Sequence, residues 1–326
     1  MGEHAKRLID ELNLPYDKII VSNFDIDTVA HPHYFSCLTY KYITSPDPTH
    51  TSFQPVAYYH NNIWDAPMIL RVVANSTTFW ILADLGRPER MFTFSSHSMS
   101  FKALVDVGFW SRDLVTEDSH IFWQCFVRYH GNYRVQPMFI PVSMDTVMAK
   151  TIWQSLKNQY LQVRRWGWCV EQWPYIVTEF FTKKGRAIPF FKRLKFFWNF
   201  AEGSYSWAAA PLLLFMLGYL PFIWADTVTK AQVITQNAPY VLQNIMAAGM
   251  LGLILLAIMS TAILPPAPKG QKHRYITMLL QWVLLPFSMI IFGSLPALDA
   301  QTRLLLGSKF RLGFNVTPKV RKPTAT

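Results

Sequence analysis

Two aspartates one residue apart, Asp25 and Asp27, end the run KIIVSNFDIDT at residues 18–28. Ile19, Ile20 and Val21 are a β-branched, strand-forming run. In extended backbone alternate side chains share a side, so both carboxylates are expected to face one small volume while Ile26 faces the core. Carboxylates held together repel unless a cation or a proton relieves them. A hard divalent ion, Mg2+ or Mn2+, would do so and would also bridge to the phosphates of a nucleotide. The plainer alternative is an Asp-rich turn that caps the next helix, because a two-acid motif alone has many accidental matches.

Two further clusters widen the choice. Thr116, Glu117 and Asp118 place two acids where a helix begins, a position suited to a proton acceptor and equally to stabilising the helix dipole. Gln162, Val163, Arg164, Arg165 and Trp166 combine planar cations that match diphosphate oxygens with a flat aromatic face that suits either a sugar ring or a neighbouring helix.

The elements that must position these residues alternate in type. Helical spacing is expected at residues 2–13, 33–43, 64–82, 99–107, 116–129 and 151–170, and strands at 53–59, 91–96 and 134–140. That mixture predicts an α/β domain over residues 1–187. Beyond it, FFKRLKFFWNF at 190–200 alternates aromatics with bases, so residues 188–204 are expected to form an interfacial amphipathic helix. Three uncharged stretches follow at 205–225, 241–264 and 275–298, within an expected transmembrane region of 205–298, each close to the roughly 20 residues needed to cross a bilayer. Residues 299–326 make a basic tail.

The chain has 326 residues, a net charge of +11, 51% hydrophobic residues and three cysteines, Cys37, Cys125 and Cys169. The cysteines are far apart, so neither a disulfide framework nor a metal site is expected from them, in keeping with a reducing cytosol. Lys183, Lys184, Arg186, Lys192, Arg193 and Lys195 crowd the entrance to the apolar region, which fits anionic lipid at a cytoplasmic membrane face better than nucleic acid. Lys269, Lys272 and Arg274 put the loop between the second and third stretches on that side too. Three crossings would then leave the basic tail outside, a conflict that re-entry at Pro286 or Pro296 would remove.

DxD, TED and QxxRW occur here in that order, followed by a membrane block. In this the chain resembles the membrane-embedded family 2 glycosyltransferases, which include bacterial cellulose, hyaluronan and chitin synthases, over residues 18 to the end. The resemblance implies a partial GT-A (Rossmann-like) catalytic domain at the cytoplasmic face of the cell membrane and transfer of a sugar, with inversion, from a nucleotide sugar such as a UDP-sugar to a glycan or lipid-linked acceptor, as in polysaccharide biosynthesis. It implies Asp27 as metal ligand with Asp25 beside it, Asp118 as base with Glu117 orienting the site, and Gln162, Arg164, Arg165 and Trp166 as substrate contacts. His97, in SSHSM, falls where the family often has small residues near the sugar, so a substrate contact is expected there as well. FNVTPK at 314–319 resembles the FxVTxK gating motif of the cellulose synthases and implies a cytosolic tail.

Only 24 residues precede Asp25, fewer than the family's nucleoside-binding half requires. That half is therefore expected on a longer reading frame or on a partner chain. A second reading is a catalytically inactive membrane-anchored scaffold or regulatory subunit that keeps the motifs.

Overall fold

Two parallel strands form the centre of the protein. The computed structural model describes residues 2–268, 270, 271, 273–313, 317 and 319, with the side chains of 215, 217–222, 234, 238 and 308 outside that description. An amphipathic helix, α1 (Gly2–Glu11), precedes the sheet. The strands are β1 (Ile20–Ser22), β2 (Val29–Ala30), β3 (Thr51–Tyr58), β4 (Ser98–Ser100) and β5 (Arg134–Ser143), in the order β1-β4-β3-β5-β2. Only β3 and β5 run parallel; the other neighbours are antiparallel. Residues Thr51 to Ala57 of β3 are all buried, as expected for a strand covered on both faces.

Prolines interrupt the central pair. Pro55 faces Met138 and the next residue, Val56, faces Pro141, so β5 carries Phe139 and Ile140 as extra residues. Pro55, Pro137 and Pro141 have no N–H for the ladder, and the pairing resumes only after the bulge. The strand expected at 91–96 is absent. Residues 91–94 form no ladder and residues 95 and 96 form a turn, in which Ser96 takes φ 66°; Gln54 ties the segment to β3 by accepting from Phe94 N at 2.8 Å and donating to Ser95 O at 3.1 Å.

Between and after the strands lie α2 (Tyr34–Thr44), α3 (Met68–Leu85), α4 (Phe101–Asp106), α5 (Glu117–Arg128), α6 (Ile152–Gly167), α7 (Trp173–Phe181), α8 (Lys183–Arg186) and α9 (Phe190–Trp224). The fold is thus mixed α/β. Its densest packing surrounds α5, whose Ile121, Phe122, Trp123, Cys125 and Phe126 have no exposed surface. Phe196 and Phe200 of α9 reach into this core, with Phe126–Phe196 ring centres 4.7 Å apart and Trp123–Phe200 5.6 Å apart. Burying each such ring contributes about 2–3 kcal/mol. The interfacial helix expected at 188–204 is therefore the base of one unbroken helix about 50 Å long, bolted to the α/β core on one face. Its other face leaves Phe190, Phe191 and Trp198 exposed.

Helices α10 (Thr227–Ala231), α11 (Val233–Ala262), α12 (Arg274–Leu280), α13 (Leu285–Met289) and α14 (Leu295–Leu305) complete the chain. Among the described residues three helical segments are long and apolar enough to cross a membrane: Met68–Leu85, Thr235–Ala262 and Arg274–Leu305. The last two overlap expected spans, whereas the expected span at 205–225 includes side chains outside the description. Met68–Leu85 is α3, and 56% of its apolar window is buried against β3 and α13, so its apolarity serves packing. Only 11% of the corresponding window in Thr235–Ala262 is buried. Arg274–Leu305 stays helical past both Pro286 and Pro296, through a 3-10 turn at Gln281–Leu284 and a π turn at Ile290–Ser294. Each proline stands in the first turn after an irregularity, where its missing N–H costs least.

The last of these helices touches the first domain directly. A Cβ on Gly167 would lie 3.0 Å from Ala297 Cα, so α6 and α14 meet at backbone distance. Arg164 Nη1 is 2.9 Å from Asp299 Oδ2, and Arg303 Nε is 2.6 Å from Asp299 Oδ1.

Candidate active site

The two aspartates converge, though not by strand alternation. β1 ends at Ser22, and residues 25–28 form a turn in which Thr28 N donates to Asp25 O at 2.9 Å. Ile26 stands at its tip, fully exposed, which corrects the expectation that it faces the core. A turn offers its tip residue only solvent, and β1 has no partner residue left to keep the chain extended. Ser95 Oγ donates to Asp25 Oδ2 at 2.7 Å. Asp27 Oδ2 accepts from Asp145 N at 2.9 Å and from Lys319 Nζ at 2.5 Å. Burial alone would raise the Asp27 carboxyl; the hydrogen bond and charge of Lys319 outweigh it and hold that carboxyl below its ordinary value. Lys319 belongs to FNVTPK, of which Thr317 and Lys319 are described and Phe314, Asn315, Val316 and Pro318 lie outside the described residues.

Asp27 and Asp145 meet because β2 pairs with β5: Val29 faces Ser143, and each aspartate lies two residues beyond that pair. The parallel strands β3 and β5 likewise lead into stitched segments, with Thr146 Oγ1 donating to Tyr59 O and Asn62 exchanging hydrogen bonds with Thr146. Ligand sites in such sheets lie beyond the carboxyl ends of parallel strands, and Tyr59 and Asp145 occupy those ends.

Tyr59 is the meeting point. Its phenol is pushed far up by burial and then by the negative charges of Asp25, Asp27 and Asp118, against Arg165. Its ring centre is 6.2 Å from that of Trp166. A small cavity opens beside it, lined by Asp145, Gln159, Gln162 and Trp166 on one side and by Val73, Ala74 and Thr77 of α3 on the other.

α5 carries Asp118 to this point. The carboxyl is pushed up to about 7, first by burial and then by the charges of Glu117 and Asp25, while Ser119 N, at 2.8 Å, and Arg165 pull it down. Glu117 is also raised, chiefly by burial, with Asp25 and Glu171 adding to the effect and Arg165 opposing it. Two acids that share the charge of Arg165 and feel that of Asp25 form one electrostatic cluster.

α6 begins at Thr151, whose hydroxyl accepts from Gln154 N at 3.2 Å. Gln162 is buried at the cavity, and Arg165 lies within the influence of Asp118 and Glu117. Arg164 turns elsewhere. Adjacent helical residues point about 100° apart, and Arg164 is committed to Asp299. His97 also departs from expectation: it has no exposed surface, its Nδ1 lies 2.9 Å from Phe94 O, and burial lowers its imidazole to about 4.

The Asp27 carboxylate is paired with the Lys319 ammonium, and Asp25 accepts from Ser95. Among the described residues no three His, Cys, Asp or Glu side chains converge on a metal position, so a divalent ion at these two aspartates would need phosphate or water oxygens as its other ligands. Sequence reasoning missed Tyr59, Ser95, Asp145 and Glu171. The β2–β5 and β3–β5 pairings bring Asp145 and Tyr59 to the aspartates, and the β1–β4 pairing brings Ser95, which lies in the SSHSM stretch. No protein-family model and no curated protein sequence matches the chain.

Proposed function

We propose that this chain carries the transfer site of an inverting, metal-dependent glycosyltransferase of GT-A type, acting on a nucleotide sugar at the cytoplasmic face of a membrane. The observation that carries the reading is that the charges of Asp25, Asp27, Asp118 and Arg165 all act on the Tyr59 phenol, whose ring lies 6.2 Å from that of Trp166. The exposed apolar surface of α11 supports the membrane location.

Asp25 and Asp27 would hold a divalent cation, which supplies Lewis-acid stabilisation to a departing diphosphate. Arg165 adds planar donors for the same oxygens. Asp118, as carboxylate, accepts the proton of the acceptor hydroxyl; that hydroxyl forms its bond to the anomeric carbon as the bond to the diphosphate oxygen breaks, and one displacement inverts the centre. Glu117 and Arg165 set the charge that Asp118 experiences. Trp166 offers its face to the sugar and Gln162 its amide to sugar or phosphate.

The test is transfer from nucleotide sugars with Mn2+ by the chain in lipid nanodiscs, compared with Asp118→Asn and Asp27→Ala. Both substitutions are expected to abolish transfer; retention by both ends the proposal. A second reading, a non-catalytic regulatory chain, is favoured by the Lys319 contact, which already satisfies Asp27. Calorimetric binding of a nucleotide sugar with Mn2+ argues against it, and no binding argues for it.

A further inference from the structure

Helix α5 starts without a cap of its own. The first N–H groups of a helix have no partner within it, and Thr116 stands where its hydroxyl would accept from one of them. That hydroxyl instead donates to Glu171 Oε1 at 3.2 Å, and the same oxygen accepts from Val115 N at 2.9 Å and Thr116 N at 3.3 Å. Glu171 Oε2 accepts from Nε1 of the fully buried Trp168 at 3.0 Å. Gln172, also fully buried, brings its Nε2 to 2.8 Å from Thr116 Oγ1 and 2.7 Å from Ser119 Oγ.

We infer that Glu171 and Gln172 are positioning residues for Asp118: from the turn that follows α6 (Trp168–Gln172), the carboxylate accepts from the N–H groups of Val115 and Thr116 and the amide donates to Thr116 and to Ser119 Oγ, which anchors the residues on either side of Glu117 and Asp118 and fixes where Asp118 points. The inference rests on the reading of Asp118 as the base. Trp166 and Glu171 are five residues apart on one continuous helical stretch, so the segment that presents Arg165 and Trp166 also holds the acid opposite them. The spacing between the phosphate side and the proton acceptor is thereby set within one rigid piece of chain.

Glu171→Ala in the full chain tests this with two readouts. Amide hydrogen exchange at residues 115–119 is expected to rise at least about tenfold while exchange in β3 stays unchanged. Transfer is expected to lose at least about tenfold in kcat with donor KM held within about twofold, since misplacement of a reacting group costs rate before binding. Glu171→Gln, which keeps an acceptor oxygen for the two amides, is expected to recover most of kcat. Should Glu171→Ala fail to fold, Thr116→Val, which removes the hydroxyl that Glu171 and Gln172 share, carries the same readouts. Unchanged exchange at 115–119 overturns the inference whether or not the chain transfers sugar. Faster exchange with unchanged kcat overturns it as well. Absence of transfer by the unaltered chain defeats the proposed function instead, and the exchange measurement still decides whether Glu171 holds the start of α5.

Discussion

Lys319 Nζ and Asp27 Oδ2 lie 2.5 Å apart although 292 residues separate them in the chain. Both side chains are largely buried, at 13% and 14% exposed, so the pair is shielded from solvent rather than a loose surface contact. An ammonium at a carboxylate expected to hold a metal must leave before the metal binds. Lys319→Ala is therefore expected to tighten Mn2+ binding by about three- to tenfold, because the competent state is no longer taxed by the closed one. Titration calorimetry with Mn2+ alone checks this, and an unchanged or weaker affinity refutes the competition.

Asp118 should impose a pH dependence with a definite sign. Its folded carboxyl is raised from 3.8 to about 7, so the folded state favours the proton. The stability this group contributes is complete below about pH 4 and is lost as pH rises through 7. Transfer, which needs the carboxylate, should climb over the same interval. Asp118→Asn should remove that limb, lower transfer by about 10²–10⁴-fold and melt at a higher temperature than the unaltered chain at pH 8, with the gap closing at pH 5. Melting curves at both pH values decide it.

The adjacent arginines of α6 should separate cleanly. Arg165→Ala is expected to raise donor KM by about 10–100-fold with little effect on melting. Arg164→Ala leaves Asp299 with Arg303 and the Tyr160 hydroxyl and is expected to cost about 1–3 kcal/mol of stability while donor KM stays put. Urea unfolding and steady-state kinetics on the two variants would reveal a reversal, which would contradict the geometry.

Gly167 is tightly packed. An alanine there sets its Cβ 3.0 Å from Ala297 Cα, so α14 must give by a few tenths of an ångström, and because α14 is also held through Asp299 the substitution is expected to cost about 1–3 kcal/mol. A melting temperature unchanged in Gly167→Ala would show that α6 and α14 do not pack as described.

Leu251 lies on α11 and is 72% exposed to the surroundings. If those surroundings are lipid, Leu251→Arg costs about 2.5–3.5 kcal/mol at the middle of a span and should shift the protein from alkali-resistant membrane pellets to the soluble or aggregated fraction. Unaltered fractionation would count against α11 as a crossing.

Some of this was legible in local pattern. The helices at 33–43, 116–129 and 151–170 follow from apolar spacing and bounding polar residues, and α2, α5 and α6 lie within a few residues of those ranges. The candidate acids, Arg165 and Trp166 were visible because they fall in short motifs. Asp25, Ile26 and Asp27 do not alternate as in a strand because a strand stays extended only while a neighbour pairs with it, and the last bond from this segment to the β4 side is Asn23 N to His97 O. Arg164 and Arg165 look equivalent in a string of letters; the rotation of a helix assigns one to Asp299 and the other to the acids near Tyr59.

The sequence by itself therefore determined which stretches are helical, where the apolar mass lies and which side chains could do chemistry, since these depend on neighbours a few residues apart. Which of those side chains meet was decided only by tertiary structure. Tyr59 among the acids, Asp145 against Asp27, Glu171 at the start of α5 and Lys319 on Asp27 all depend on strand pairing and helix docking across long stretches of chain, and no local spacing encodes such distances.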